Sequence, residues 1–247
     1  MSGYAAIIGD AVKLWVSDLT DSHTEIATEF KLRDNGKHRL YAFEFYPDQA
    51  KPSPETATWV LRWDSDATLS HRDNPTVDDE NRFRTEIEKV AAKYVFRDGS
   101  HKTTACRAWV FGEAELTAEK SSSVVAWDSS SVVAWGSSSV VAWDSSSVVA
   151  WDSSRVVARD SSRVEARDSS SVEARDSSSV VAWGSSRVEA RDSSSVVAWG
   201  SSSVVARGSS TTNSYGPKPK SLQEAAVWID RTGDRPVAIV AGDNAQV

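Results

Sequence analysis

SSSVVAWDSSSVVAWG, residues 121–136, is eight residues written almost twice, and its period decides the fold. Eleven such octads run without a gap from Ser121 to Gly208, each reading S-S-(S/R)-V-(V/E)-A-(W/R)-(D/G). Val at the fourth place and Ala at the sixth never change. The third, fifth and seventh places exchange Ser for Arg, Val for Glu and Trp for Arg. Constant small apolar residues alternating with variable ones are the signature of a strand with one buried side. The D/G-S-S triplet supplies a corner, because Asp and Gly tolerate turn dihedrals and Ser hydroxyls bond nearby backbone.

A strand this narrow cannot bury its Val and Ala alone, so successive octads must wind into a coil and stack at roughly 4.8 Å. With two octads per turn, residues sixteen apart become vertical neighbours and the seventh places sort into two columns. One column reads Phe111, Trp127, Trp143, Arg159, Arg175, Arg191, Arg207; the other reads Glu119, Trp135, Trp151, Arg167, Trp183, Trp199, Tyr215. Asp128, Asp144, Asp160, Asp176 and Asp192 then line one corner without interruption, and the opposite corner mixes Gly with Asp. With three octads per turn the Trp and Arg residues scatter, although the Asp positions alone fit either coil. The expected fold is therefore mainly β: a two-sided β-solenoid of eight-residue strands, about 16 residues per coil.

Degenerate octads extend the array: ACRAWVFG at 105–112, EAELTAEK at 113–120 and SSTTNSYG at 209–216. Atypical terminal repeats are expected where a solenoid is capped. Fourteen octads make seven coils, a rod of roughly 34 Å at that spacing. The solenoid is expected over 105–216, after an N-terminal α+β domain over 1–104 and before a C-terminal helix-strand cap over 217–247.

In the N-terminal part Val12, Leu14 and Val16 alternate, as do Ile26, Thr28, Phe30 and Leu32, so both runs predict strands. Asp34-Asn35-Gly36-Lys37 before HRLYAFEFY is a hairpin signal. ATWVLRW at 57–63 predicts a further strand, and Thr76 caps a helix with Phe83, Ile87, Val90, Ala91 and Tyr94 on one face. A small antiparallel sheet with one covering helix follows. At the other end, SLQE at 221–224 is a capping box that predicts a short helix carrying Leu222, Ala225, Ala226 and Ile229 on one face. Gly233 ends it and RPVAIVAG supplies a last strand. This segment either covers the open end of the solenoid or docks onto another chain.

The net charge of −7 and a pI near 5.2 argue against general attraction to nucleic acid or anionic membrane. A single cysteine, Cys106, rules out an intrachain disulfide and a cysteine-based zinc cluster, which suits a reducing compartment. MSGYAAIIGDAVK lacks a basic region followed by an apolar run, and no segment reaches the roughly 18 apolar residues of a membrane span, so a cytoplasmic location without membrane attachment is expected.

No nucleotide-binding glycine loop, HExxH motif, nucleophile elbow or Cys/His cluster with metal spacing is present. His71-Arg72-Asp73-Asn74 has the form of a kinase catalytic loop without any other kinase element, and is read as coincidence. Asp78, Asp79 and Glu80 fall in the first turn of the helix that Thr76 caps, where carboxylates complement the macrodipole. Cys106 takes a second place normally held by Ser and is read as a small inward thiol. No catalytic residue, metal site or cofactor is expected.

The outer columns are the candidates for function. Trp135, Trp151, Trp183, Trp199 and Tyr215 form an aromatic face, and exposed aromatic patches mark interfaces. It can be covered within the chain, bind another copy or a protein partner, or stack on carbohydrate. The charged face comprises Arg159, Arg175, Arg191 and Arg207 with the five corner Asp residues. Residues 121–208 hold eight Arg against seven Asp and three Glu, so the array is slightly acidic, which argues against direct nucleic-acid binding. Solvated salt-bridge ladders are the plain explanation, and mimicry of a nucleic-acid backbone by the Asp line is the alternative.

In its S-S-x-V-x-A-x-(D/G) units after a small N-terminal domain, the chain resembles the octapeptide-repeat β-solenoids of bacteria and phages. The resemblance covers about 105–216, implies the architecture, and brings no established activity. The expectation is a non-enzymatic interaction or assembly protein, either a homo-oligomer or one that docks a protein partner through its Trp/Val face. The alternative is a phage-derived inhibitor that occupies a nucleic-acid-handling enzyme or a host defence complex.

Overall fold

What an octad needs at its end is a residue that turns the chain without stopping the backbone ladder. In the computed structural model, which describes residues 4–9, 14–16, 22–32, 40–48, 50–64, 75–216, 221–223, 225–233 and 237–240, that residue is the eighth. The seven Asp residues there have φ between 53° and 59°, and Gly136, Gly184, Gly200 and Gly208 lie between 66° and 72°. This left-handed region is open to Gly and tolerated by Asp, but costs other side chains about 1–2 kcal/mol. Gly is obligatory where space also runs out: a Cβ added at Gly208 would meet the Asp192 backbone nitrogen at 2.8 Å.

Each corner sends the chain into a four- or five-residue strand that pairs in parallel with the strand sixteen residues away. Val132 sits beside Val148, Val140 beside Val156, and Ala134 beside Ala150. The coil is therefore two-sided, with strands alternating between two parallel sheets. Hydrogen bonds continue through the corners, as from the Ser145 amide to the Asp128 carbonyl at 3.0 Å. The result is a β-solenoid of about 8 turns with ~16-residue coils, part of a compact unit spanning Phe96–Val247.

The interior is one continuous cluster running from Ala108 to Val204, in which fourth-place Val and sixth-place Ala are buried. Second-place Ser residues are buried as well, at 0–2% exposure. At one corner the hydroxyls of Ser122, Ser138, Ser154 and Ser202 find carbonyls, Ser138 Oγ donating to Trp135 O at 2.7 Å and Ser202 Oγ to Trp199 O at 2.9 Å, while those of Ser170 and Ser186 have no partner among the described residues. At the other, the hydroxyls of Ser130, Ser146, Ser162, Ser178, Ser194 and Ser210 have no hydrogen-bond partner among the described residues. An unpaired buried hydroxyl carries its desolvation cost, so the second corner is the weaker of the two.

The coil extends past the octads at both ends. Ser100–Thr104 pairs in register with Glu115–Glu119, so parallel stacking begins before Ala105. At the far end the helix expected from SLQE is absent. Ser221–Leu222 and Val227–Asp230 are strands stacked sixteen residues above Val205–Ala206 and Thr211–Ser214. The capping-box pattern loses because the last octad coil offers unpaired backbone groups on both sheets, and the segment satisfies them by continuing the register. It also buries Ala226 and Trp228 against Ala206, with Ile239 packed alongside, which plugs the interior with a large ring. Val237–Val240 then runs antiparallel beside Val227–Asp230 and ends the parallel sheet.

The other unit, Met1–Val95, contains an antiparallel sheet of β1 (Tyr4–Gly9), β2 (Leu14–Val16), β3 (Leu40–Tyr46) and β4 (Val60–Trp63) in the order β2-β1-β3-β4. Thr76 caps the helix α2 (Val77–Ala91) through a capping box: its Oγ1 accepts from the Asp79 amide at 3.2 Å, and Asp79 Oδ2 accepts from the Thr76 amide at 2.9 Å. Phe83, Ile87 and Ala91 are its buried stripe, and Phe83 meets Phe43 of β3 at 4.3 Å between ring centres.

The strand expected over Ile26–Leu32 is instead the helix α1 (His23–Glu29). Ser22 caps it, Thr28 Oγ1 donates to the Thr24 carbonyl one turn back, and His23, Ile26 and Ala27 form its buried face. The alternation of Ile26, Thr28 and Phe30 was too short to specify a strand, and it leaves Phe30 40% exposed. Val12, the Asn35-Gly36 turn, His38 and the His71–Asn74 motif lie outside the described residues.

Candidate functional site

Side chains at the third, fifth and seventh places leave the strands outward, and the coil register stacks each place into a column. On one sheet, here the aromatic sheet, the seventh-place column holds two ring stacks. Trp135 and Trp151 lie 4.9 Å apart at an interplanar angle of 4°. Trp183 and Trp199 lie 5.2 Å apart, and Trp199 and Tyr215 3.9 Å apart, again nearly parallel. The spacing follows from the coil, since rings one rung apart are held near the inter-strand distance. Val133, Val149, Val181 and Val197 flank the rings at the fifth place and are half-buried. Trp135, Trp183 and Tyr215 remain 38–40% exposed.

The five aromatic residues expected to form one face thus share one column but divide into two groups. Arg167 stands between them. Its guanidinium lies over the Trp151 ring at 4.4 Å, and its Nε donates to Glu165 Oε1 at 2.9 Å. An open cleft of about 320 Å³, lined by Trp151, Arg167, Asp168, Trp183 and Gly184, marks the interruption.

The seventh-place column of the opposite sheet changes character along its length. Phe111 and Trp127 are buried and stacked at 4.7 Å. Arg159 lies over Trp143 at 4.5 Å, a cation–π contact that separates it from the Arg residues beyond. Arg175, Arg191 and Arg207 join a staggered ladder with Glu173 and Glu189. Arg175 Nη2 is 2.7 Å from Glu173, Arg191 reaches Glu173 at 3.4 Å and Glu189 at 2.9 Å, and Arg207 Nε is 3.6 Å from Glu189. Each carboxylate thus serves two coils, and these guanidinium charges are compensated on the protein's own surface.

The corner Asp residues do structural work. Asp144 Oδ2 accepts from the Asp128 amide at 3.4 Å, Asp160 Oδ2 from Asp144 at 3.3 Å, Asp176 Oδ2 from Asp160 at 3.2 Å, and Asp192 Oδ2 from Asp176 at 3.2 Å. Each carboxylate therefore pairs the corner N–H of the coil before it, a donor the turn would otherwise leave to water. Asp152 and Asp168 do the same at the other corner, accepting from Gly136 at 3.0 Å and Asp152 at 3.4 Å.

The glutamates were not singled out in the sequence, although the signal was there. Glu occupies the fifth place at 165, 173 and 189, each time two residues before an Arg. On a strand, residues i and i+2 share a face, so E-A-R specifies an ion pair. Arg159 and Arg207, which follow Val157 and Val205, must find partners elsewhere, and they do so on Trp143 and Glu189. Cys106 is buried, and among the described residues no group of three His, Cys, Asp or Glu side chains is placed to hold a metal ion.

Fold and surface together define a two-sheeted β-solenoid with unlike outer columns: one carries exposed ring stacks, and the other passes from buried rings through an Arg-covered Trp to Arg residues paired with Glu. No protein-family model, curated protein or solved structure significantly matches the chain.

Proposed function

We propose that this chain is a non-enzymatic assembly protein that presents the aromatic sheet of a rigid solenoid for self-association or for docking a protein partner. The observation that carries the proposal is the contrast between the two faces. Trp135, Trp183 and Tyr215 leave ring surface open to water on one sheet beside Val133, Val149, Val181 and Val197, whereas on the other Phe111 and Trp127 are buried, Trp143 lies under Arg159, and Arg175, Arg191 and Arg207 are paired with Glu173 and Glu189. Exposed apolar patches of this kind mark interaction surfaces, and Trp and Tyr dominate interface energetics. Regular strands hold the rings in place before a partner arrives, which lowers the ordering cost of association.

The kinship proposed is with the octapeptide-repeat β-solenoids of bacteria and phages, and the proposed location is the cytoplasm. The single cysteine supports that location, as does the absence, among the described residues, of any helix long and apolar enough to cross a membrane. Mimicry of a nucleic acid by the Asp line has weaker support. Its carboxylates are turned onto backbone amides, and one charge per coil, roughly every 4.8 Å, is sparser than the phosphate charge of a single DNA strand, one per roughly 3.4 Å.

Light scattering across a concentration series tests the proposal. The parent protein is expected to gain mass with concentration, and the combined replacement of Trp135, Trp151, Trp183 and Trp199 by Ser is expected to keep the strand circular-dichroism signal while remaining monomeric. A parent that stays monomeric at high concentration and captures no protein partner through this face, or an assembly indifferent to the four substitutions, refutes it.

A further inference from the structure

We infer that the interruption of the aromatic column at Arg167 is a binding slot for a planar nitrogen heterocycle that carries hydrogen-bond donor and acceptor groups along one edge. The inference concerns a small ligand and stands whether or not the aromatic sheet mediates assembly.

The slot follows from the register. Rings in this column occupy successive coils at 4.9 and 5.2 Å, and Trp151 and Trp183 are two coils apart. The interval of roughly 9.6 Å between their levels is the space of one missing ring, with one normal stacking distance on each side. Trp183 has Trp199 against one face, is 40% exposed, and borders the cleft of about 320 Å³. Arg167 occupies the missing level with a flat cationic group over Trp151. A flat group is thus already accepted there, and a ring would exchange that single contact for stacking on two faces.

Two lining residues select the edge of such a ring. Arg167 is tethered to Glu165 through Nε and Nη2, which leaves Nη1 without a bond among the described residues. When the guanidinium moves aside while holding Glu165, Nη1 can donate to a ring nitrogen. Asp168 engages the Asp152 amide through Oδ2 at 3.4 Å, and its Oδ1 can accept from a ring N–H or amino group. Gly184, at the next corner of the same column, adds no side chain to obstruct entry. Adjacent donor and acceptor groups on a flat ring describe purines and aminopyrimidines, and a saturated sugar ring offers neither the flatness nor that edge.

Saturation-transfer NMR and calorimetry with adenosine, with ribose as the control, test the slot. Both are run below the protein concentration at which scattering detects assembly, so a failure of self-association leaves the test intact. Saturable adenosine binding is expected, with none for ribose. Trp183→Ser should weaken it about tenfold or more, within the range found for removing one base-stacking ring. Arg167→Trp should abolish it by completing the column, while Trp143→Ser, on the opposite sheet, should leave it unchanged. Absence of saturable adenosine binding, or equal binding by the parent and the Arg167→Trp variant, overturns the inference.

Discussion

Replacing Asp160 separates the two contributions of a corner residue, conformational and electrostatic. Asp160 has φ of 53° and its Oδ2 accepts from the Asp144 amide at 3.3 Å. In Asp160→Ala the left-handed backbone costs about 1–2 kcal/mol, partly offset because Asp is itself only tolerated there. Loss of the exposed ladder bond adds about 0.5 kcal/mol, so a destabilisation of about 1.5 kcal/mol is expected. Asp160→Gly removes the steric cost but loses the bond and gains freedom in the unfolded chain, for a net loss of about 0.5–1 kcal/mol. Asp160→Asn keeps both the dihedral tolerance and the acceptor. It also removes one of five like charges spaced one coil apart, each neighbouring pair worth about 1 kcal/mol of repulsion at most in water. The expected order of stability is therefore Asn at or above the parent, then Gly, then Ala. Urea denaturation followed by circular dichroism measures it, with amide exchange around the altered coil distinguishing local opening from global unfolding. An Ala variant as stable as the Asn variant would show that neither the dihedral nor the ladder bond holds the corner.

Buried Ser hydroxyls with and without a carbonyl partner should respond differently to Ala. Ser162→Ala removes a buried hydroxyl that lacks a partner and should be neutral or stabilising, whereas Ser138→Ala removes a bonded one and should cost about 1 kcal/mol, both read from urea midpoints. Trp228→Ala empties the plug at the last coil and should cost about 3–5 kcal/mol locally, visible as rapid amide exchange in Thr211–Tyr215 while the central coils stay protected. Uniform loss of protection along the whole solenoid would refute the assignment of Trp228 as a terminal plug.

Architecture was legible in this chain wherever repetition reported on positions far apart. Val132 and Val148 carry no local signal of contact, but the sorting of Trp and Arg at intervals of sixteen pointed to the two-octad coil that pairs them. Local patterns were less dependable. SLQE satisfies a capping box over four residues, yet Ser221–Leu222 is held by a neighbour sixteen residues earlier, and backbone pairing on an open coil outweighs a helix start. Ser100–Thr104 and Val227–Asp230 share the register without sharing the octad letters, so about eight turns form where seven were counted. At the surface, columns could be read from the sequence but partners could not. The Asp line is legible as a line, whereas its attachment to amides depends on where the carboxylate turns. Arg167 is one letter in an octad, and its place between two ring stacks emerges only when the coil is closed.

Because both sheets bury the same two places of the octad, the core cannot distinguish a strand of one sheet from a strand of the other. Deleting sixteen residues between Ser121 and Gly208 shortens the rod by one coil and leaves every downstream side chain on its own face. Deleting eight leaves Val and Ala inside just as well, but moves everything beyond the deletion to the opposite sheet: with residues 161–168 removed, Trp183 and Trp199 would continue the column of Arg159, and Arg175 and Arg191 that of Trp151. The surface therefore has a reading frame of its own, set by the parity of the octad count, and the hydrophobic interior does not police it.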